Sequence, residues 1–481
     1  MSTAVRRSAT FLLLLALLLP GLMTATSGTA HADVRLERRA VDDWISDYVR
    51  TEGLAGASVG VIKNGELVYR TGEGREPDGI IGADQPMAIG SVSKMITAFA
   101  VLQLVDAGRI DLDQPVRQQL PEFTVDDPRG AHITVRQLLS HRSGLPNPTV
   151  IAPAASPQER VGQLRDVHLD SDPGTTYVYS NLNYQVAARL VEVSSEQDFS
   201  TYLHDHVFAP LGMDGTRAVN VTDDQPGTTD GHVTAYGGVI PLPELVGMNA
   251  GAGGVISTAD DLARWLAMQQ RGGVAADGAR LLSADLVRQA QTPVGDSPYG
   301  FGWQATRTSV PARIGHDGSL TRYSARAELV PSSGYGVVVL LNSYTPITKH
   351  PFEISAGVID LTEGKSPDAG APVATIVDAV LGLVTIVVIG LGVRGVLRSE
   401  AWASRRRRWP SWRFGLRLLP QLLMPAVALG VFVVLPPMSG PRATVVDAFG
   451  LWPAAMVLLL VSAVVGLAVT GVRIARRHRA D

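Results

Sequence analysis

The spacing of apolar residues changes character several times along the first three quarters of this chain. Over residues 33–50, Val34, Leu36, Val41, Trp44, Ile45 and Tyr48 recur at helical intervals, which predicts a first amphipathic helix. Residues 57–61 and 66–69 then read as short strands around Asn64-Gly65, a dipeptide that favours tight hairpin turns because both positions tolerate positive φ. Residues 95–105 are apolar on nearly every face, as expected of a helix buried in a domain centre, and Gly108 ends it. Further helices are predicted from residue 133 with Thr134 as cap, over 185–193, and over 259–270 with Ser257 or Thr258 as cap and Asp260 and Asp261 in the first turn. Strand runs at 323–330 and 335–341, joined by Ser332-Ser333-Gly334, precede a helix over 352–361. Helix and hairpin at the front, with strands and helix at the back, predict one antiparallel sheet made by both ends around a helical middle, an α+β fold.

After Pro372 the pattern is different in kind. Three apolar runs, about 373–393, 418–437 and 448–472, each have roughly the ~20 residues needed to cross a bilayer and predict three transmembrane helices. Charge divides at the same place: residues 33–372 hold 27 Lys and Arg against 41 Asp and Glu, whereas 373–481 hold 13 against 4. The basic residues cluster between the first two runs, around 405–408, and after the third, at Arg473, Arg476, Arg477 and Arg479. The positive-inside rule places both clusters in the cytoplasm and everything before Val373 outside. Asp378 is expected at the membrane interface, in the company of Trp409, Trp412 and Trp452.

The N-terminus gives the same orientation. Arg6-Arg7, an apolar run over 11–19, Pro20-Gly21 and Ala30-His31-Ala32 have the layout of a secretory signal peptide cleaved after Ala32. The expected division is a signal peptide (1–32), an extracytoplasmic domain (33–364), a linker (365–372) and a membrane domain (373–481), in a multi-pass protein of the cell membrane with a cytoplasmic C-terminus. The chain has no cysteine, which excludes disulfides, thiol catalysis and Cys-ligated metal. The external part has no basic stripe to meet phosphates, so nucleic acid is not an expected partner.

The chemistry centres on Ser91 and Lys94, at the start of the buried helix. Positions three apart share a helix face, so hydroxyl and amine can meet. A serine needs an adjacent base to become a nucleophile, and a desolvated lysine can serve where an arginine cannot. The chain has only four lysines, and Lys94 alone has a serine three residues before it. A surface lysine near a helix start is the competing reading; the apolar helix that follows argues against it. Three other stretches stand out. His141, within Ser140-His141-Arg142-Ser143-Gly144, is best read as helix-end packing; Tyr179-Ser180-Asn181 lies on a turn before a helix; and the small residues 250–254 let backbone approach something closely.

Taken in order, Ser91-x-x-Lys94, Tyr179-x-Asn181 and His316-x-Gly318, with flanks such as Pro210-Leu211-Gly212-Met213, resemble the penicillin-recognising serine hydrolases over about residues 38–345. The nearest likeness is to class C β-lactamases, D,D-carboxypeptidases, D-aminopeptidases and related esterases. The resemblance implies a β-lactamase/transpeptidase-like fold, with an antiparallel sheet flanked by helices and a helical subdomain. It also implies that Ser91 is the acylated nucleophile, that Lys94 and Tyr179 carry the proton traffic, and that Asn181, His316, Gly318 and Ser319 bind substrate. The Ser91 and Ser319 amides would form the oxyanion hole, with no metal or other cofactor. His316 stands where many β-lactamases have lysine, which shifts the expectation from β-lactamase toward peptidase or esterase. The partners this implies are a small-molecule or peptide substrate and membrane lipid. A catalytically silent binding module that signals to the membrane helices is the alternative. Substrate choice would lie in the loop after Pro146, in residues 223–248 and in the rim around Arg322, which either shapes that choice or is a solvated turn residue.

Overall fold

The computed structural model describes residues 36–76, 79–148, 152–222, 228–306, 308–436 and 444–478. The expected signal peptide, the first residues of the first predicted helix, Arg442 and Arg479 lie outside the described residues.

Helix α1 (Arg38–Glu52) leads into strands β1 (Gly56–Lys63), β2 (Glu66–Glu76) and β3 (Gly79–Ile80). Asn64 and Gly65 take φ of 50° and 82°, the left-handed pair that a two-residue hairpin turn requires. The helical middle contains α2 (Ser93–Asp106), α3 (Asn181–Ser195) and α4 (Ala259–Gln270). The chain then returns through β4 (Gln304–Thr306), β5 (Arg313–Ser319), β6 (Ser324–Val330) and β7 (Tyr335–Leu341) to α5 (His350–Thr362).

These strands form one seven-stranded antiparallel sheet in the order β3-β2-β1-β7-β6-β5-β4, so the two ends of the domain meet where Val59 faces Val339. Strands β1, β6 and β7 are buried on both faces, which accounts for their continuous apolar runs. Helices α1 and α5 cover one face through Val41, Ile45, Ile354 and Val358, and α4 covers the other. Helix α2 is buried around nearly its whole circumference and packs on α3, as its lack of a polar face predicted. Thr134 forms a capping box with Gln137, and Thr258, not Ser257, caps α4 by accepting the Asp261 N–H.

The tail departs from expectation. Two helices are long and apolar enough to cross a membrane, α6 (Val373–Leu397) and α8 (Pro453–His478), where three were expected. Between them lies the shorter apolar helix α7 (Leu419–Val434), after which the backbone stays helical through 435–436, the end of that described stretch. Pro425 interrupts its hydrogen bonding, and the segment Gly430–Val434 widens to a π-helix. The run's expected end at Pro437 lies outside the described residues.

Candidate active site

A 3₁₀ turn, Gly90–Val92, leads directly into α2, so Ser91 sits just before the helix while Lys94 occupies its first turn. The side chains still converge: Lys94 Nζ lies 3.0 Å from Ser91 Oγ. Lys94 is fully buried, and its amine also lies 2.8 Å from Asn181 Oδ1 and 2.7 Å from the Ala252 carbonyl oxygen. None of these partners is a carboxylate, and burial holds the amine well below the usual lysine range. The Tyr179 hydroxyl donates to Ser91 Oγ at 2.9 Å. Burial pushes that phenol above its ordinary value, so it stays protonated at neutral pH.

Backbone brings β5 alongside. A Cβ on Gly318 would lie 1.9 Å from the Ile89 carbonyl oxygen, and one on Gly90 would lie 2.7 Å from Ser319 N. Gly90 also has φ of 51°, a conformation that suits glycine. The 3₁₀ turn and the end of β5 therefore touch main chain to main chain, which places the Ser319 amide beside the Ser91 turn. The sequence pointed to Gly318 as a substrate contact; its position accounts for it first as the residue that permits this approach.

His316 is buried and does not present a cation. Its Nε2 accepts from the Tyr299 hydroxyl at 2.9 Å and its Nδ1 donates to the Asp317 carbonyl, a pattern that fits one neutral tautomer. Burial lowers its pKa to about 4. His141 packs as the sequence indicated, with its ring 4.4 Å from that of Tyr179 and 4.7 Å from that of Tyr299. Its Nδ1 accepts the Ser180 N–H at 3.1 Å, which fixes the backbone next to Tyr179.

Three participants were not legible beforehand. The Ala252 carbonyl is what the 250–254 stretch brings close, but a backbone oxygen leaves no side-chain signature. Tyr299 was unmarked. Glu244 accepts the N–H groups of Thr321 at 3.1 Å and Arg322 at 2.8 Å, holding the chain that leaves β5. Arg322 itself is neither solvated nor at an open rim. It is fully buried, donates to the carbonyl oxygens of Thr321 (2.8 Å) and Gly450 (3.3 Å), and so is committed to the tail. Among the described residues no group of three or more His, Asp or Glu side chains is placed to hold a metal ion.

Comparison with known proteins follows this geometry. The profile of the Beta-lactamase family matches residues 41–357. Penicillin-binding protein 4 of Amycolatopsis lactamdurans is 31% identical over 316 residues, which cover 62% of this chain and 83% of that protein. Among solved structures, the octameric penicillin-binding protein homologue from Pyrococcus abyssi superposes with a TM-score of 0.59 at 25% identity, covering 71% of this chain and 80% of the other. The D-amino acid amidase from Ochrobactrum anthropi SV3, complexed with L-phenylalanine amide, gives a TM-score of 0.58 over 68% of this chain and 98% of its own, and at 24% identity that likeness is one of fold.

Proposed function

This chain belongs to the Beta-lactamase family, and from that premise we propose that it is a serine hydrolase held at the outer face of a membrane by its tail, acting through an acyl-enzyme on Ser91. The observation that carries the reading is the position of Ser91 Oγ, 3.0 Å from a buried amine and 2.9 Å from a phenol.

A neutral lysine has two N–H bonds and one lone pair. The Asn181 and Ala252 oxygens, at 2.8 and 2.7 Å, take both hydrogens and leave the lone pair for the Ser91 proton. As Ser91 Oγ attacks the substrate carbonyl, that proton passes to Lys94, and the C–O bond to the enzyme forms. Tyr179, still protonated, supplies a proton to the departing amine or alkoxide as the scissile bond breaks. The amides of Ser91 and Ser319 face the developing oxyanion, a contribution on the order of 3 kcal/mol per donor. In the second half-reaction water replaces the leaving group and gives its proton back through the same pair.

For substrate we favour peptidoglycan-type peptides or small esters and amides over β-lactams. Neutral His316 gives no fixed positive charge for a β-lactam carboxylate, since its pKa of about 4 lies well below external pH. The relative's name, penicillin-binding protein, agrees with a cell-wall peptide substrate. In this reading α6 and α8 span the membrane side by side, residues 33–364 and the start of α8 are external, the basic ends of both helices are cytoplasmic, and the chain between them returns across the membrane through the α7 region; the partners are substrate and lipid. Purified full-length protein assayed with nitrophenyl esters, D-amino-acid amides and a chromogenic cephalosporin tests the preference. Turnover of an ester or amide above that of the cephalosporin is expected, and the reverse order would overturn it.

A further inference from the structure

One segment of the external domain is built for neither solvent nor core. Residues 231–243 contain no charged side chain. They fold into a two-stranded hairpin, His232–Ala235 with Gly238–Pro241, whose first strand is tied to the domain by pairing with Ser343–Tyr344. Its second strand is exposed throughout, and Tyr236, Val239 and Ile240 are 45%, 39% and 36% exposed. Elsewhere in a water-soluble domain such a row would carry charge.

The turn of the hairpin packs on α6, and its first strand packs on α8. Gly237 sits beside Thr375, the Tyr236 N–H donates to Asp378 Oδ2 at 2.9 Å, and a Cβ on Gly382 would come within 3.2 Å of the Tyr236 ring. Residues 375, 378 and 382 follow one face of a helix, so the contact runs for two turns. Asp378 is buried, with Trp452 Nε1 donating to its other oxygen at 2.9 Å. A carboxylate one turn into an apolar helix is costly unless its oxygens are paired, and the hairpin supplies half of that pairing. Gly382 lies about 13 Å along α6 from Val373 at 1.5 Å per residue, close to half the thickness of a hydrocarbon core of roughly 30 Å. The flanking surface of α6 is apolar and exposed as well, at Val380 and Leu383.

We propose that this hairpin is a lipid-inserted wedge: Tyr236, Val239 and Ile240 lie in the outer leaflet beside α6, so that the external domain rests on the bilayer through a second, non-helical contact. Continuity of the two apolar surfaces selects lipid as the occupant. The inference rests on α6 spanning the membrane. Residue Glu244, three positions past the hairpin's last strand residue, holds Thr321 and Arg322, so the wedge also fixes how near the Ser319 end of β5 stands to the membrane surface.

The chain's lack of cysteine allows a direct test. Full-length Val239→Cys, Ile240→Cys, Leu383→Cys and Ser332→Cys proteins, each labelled with an environment-sensitive fluorophore, are reconstituted into phosphatidylcholine and phosphatidylglycerol vesicles with and without doxyl-labelled lipid. Quenching at 239 and 240 within about twofold of that at 383, with none at 332, is expected. Quenching at 383 but not at 239 or 240 overturns the wedge and leaves the spanning helix standing. Absence of quenching at 383 overturns the spanning reading and the wedge with it.

Discussion

Gly318 and Ile89 meet so closely that a Cβ on the glycine would stand 1.9 Å from the Ile89 carbonyl oxygen. This contact seats the end of β5 against the turn that carries Ser91. Gly318→Ala should push the strand away, at an overpacking cost of about 1–3 kcal/mol, and should lower Tm by several degrees. Because the Ser319 amide moves with the strand, acylation by an activated ester should slow at least about tenfold, within the cost of losing one oxyanion donor. A variant that melts and acylates like the wild type would show that the contact is not needed.

Ser91 and Ser93 separate chemistry from packing. Ser93 is fully buried, and its Oγ accepts the Val255 N–H at 3.1 Å. Ser93→Ala should cost about 1–3 kcal/mol of stability, by leaving a buried N–H unpaired, yet retain labelling by a fluorophosphonate. Ser91→Ala should lose labelling while keeping stability near the wild type. Mass spectrometry of the labelled peptide reads both results, and labelling that persists in Ser91→Ala would remove Ser91 from its role.

Acid should weaken the fold through buried histidines. Burial lowers His316 and His350 to about 4 and holds His141 well below its usual range. In the unfolded chain these rings take a proton near pH 6.5. The folded state is depressed relative to that, so the stability from keeping them neutral is full above about pH 6.5 and is lost as pH falls toward 4. Thermal unfolding in detergent should show Tm falling over that window. His350, whose Nδ1 lies 3.0 Å from the Tyr48 hydroxyl, is remote from Ser91 in role, so His350→Gln should shrink the fall without changing hydrolysis.

Orientation is read by accessibility. With α6 and α8 spanning, the 405–408 cluster is cytoplasmic, as the charge bias requires. An epitope inserted there should be unreachable in intact cells and reachable after permeabilisation. External accessibility would invert the tail.

Much of this arrangement was legible because it depends on short-range chemistry. The three-residue spacing of Ser91 and Lys94, the Asn64-Gly65 turn and the Thr134 cap each act within a few positions, and each is realised. The union of β1 with β7 was also recoverable, since two apolar strand runs at opposite ends need a common sheet. What could not be read depends on partners far along the chain. Arg322 has the composition of a turn residue, and only the approach of Gly450 from the tail buries it. The lone apolar hairpin at 232–241 looked featureless because its partner is a helix well over a hundred positions away. The second tail run has a composition that suits a membrane, but hydropathy alone does not show that Pro425 and the π-helical segment Gly430–Val434 break its regular hydrogen bonding.

The central claim is that Lys94 takes the Ser91 proton, and single-turnover acylation of the full-length protein by an activated ester tests it most directly. Lys94→Arg keeps much of the bulk but is permanently charged and cannot offer a lone pair, so acylation should fall 10²-fold or more, roughly the low end of general-base catalysis. Tyr179→Phe should also slow the reaction, and the double variant should be little worse than the slower single one, because both groups serve one proton path. His316→Ala should be milder and vary with substrate, since His316 bonds to Tyr299 and to its neighbour's carbonyl but not to Ser91. If Lys94→Arg acylates at the wild-type rate while His316→Ala is inactive, the proton leaves Ser91 by way of a histidine, and the roles assigned here are contradicted.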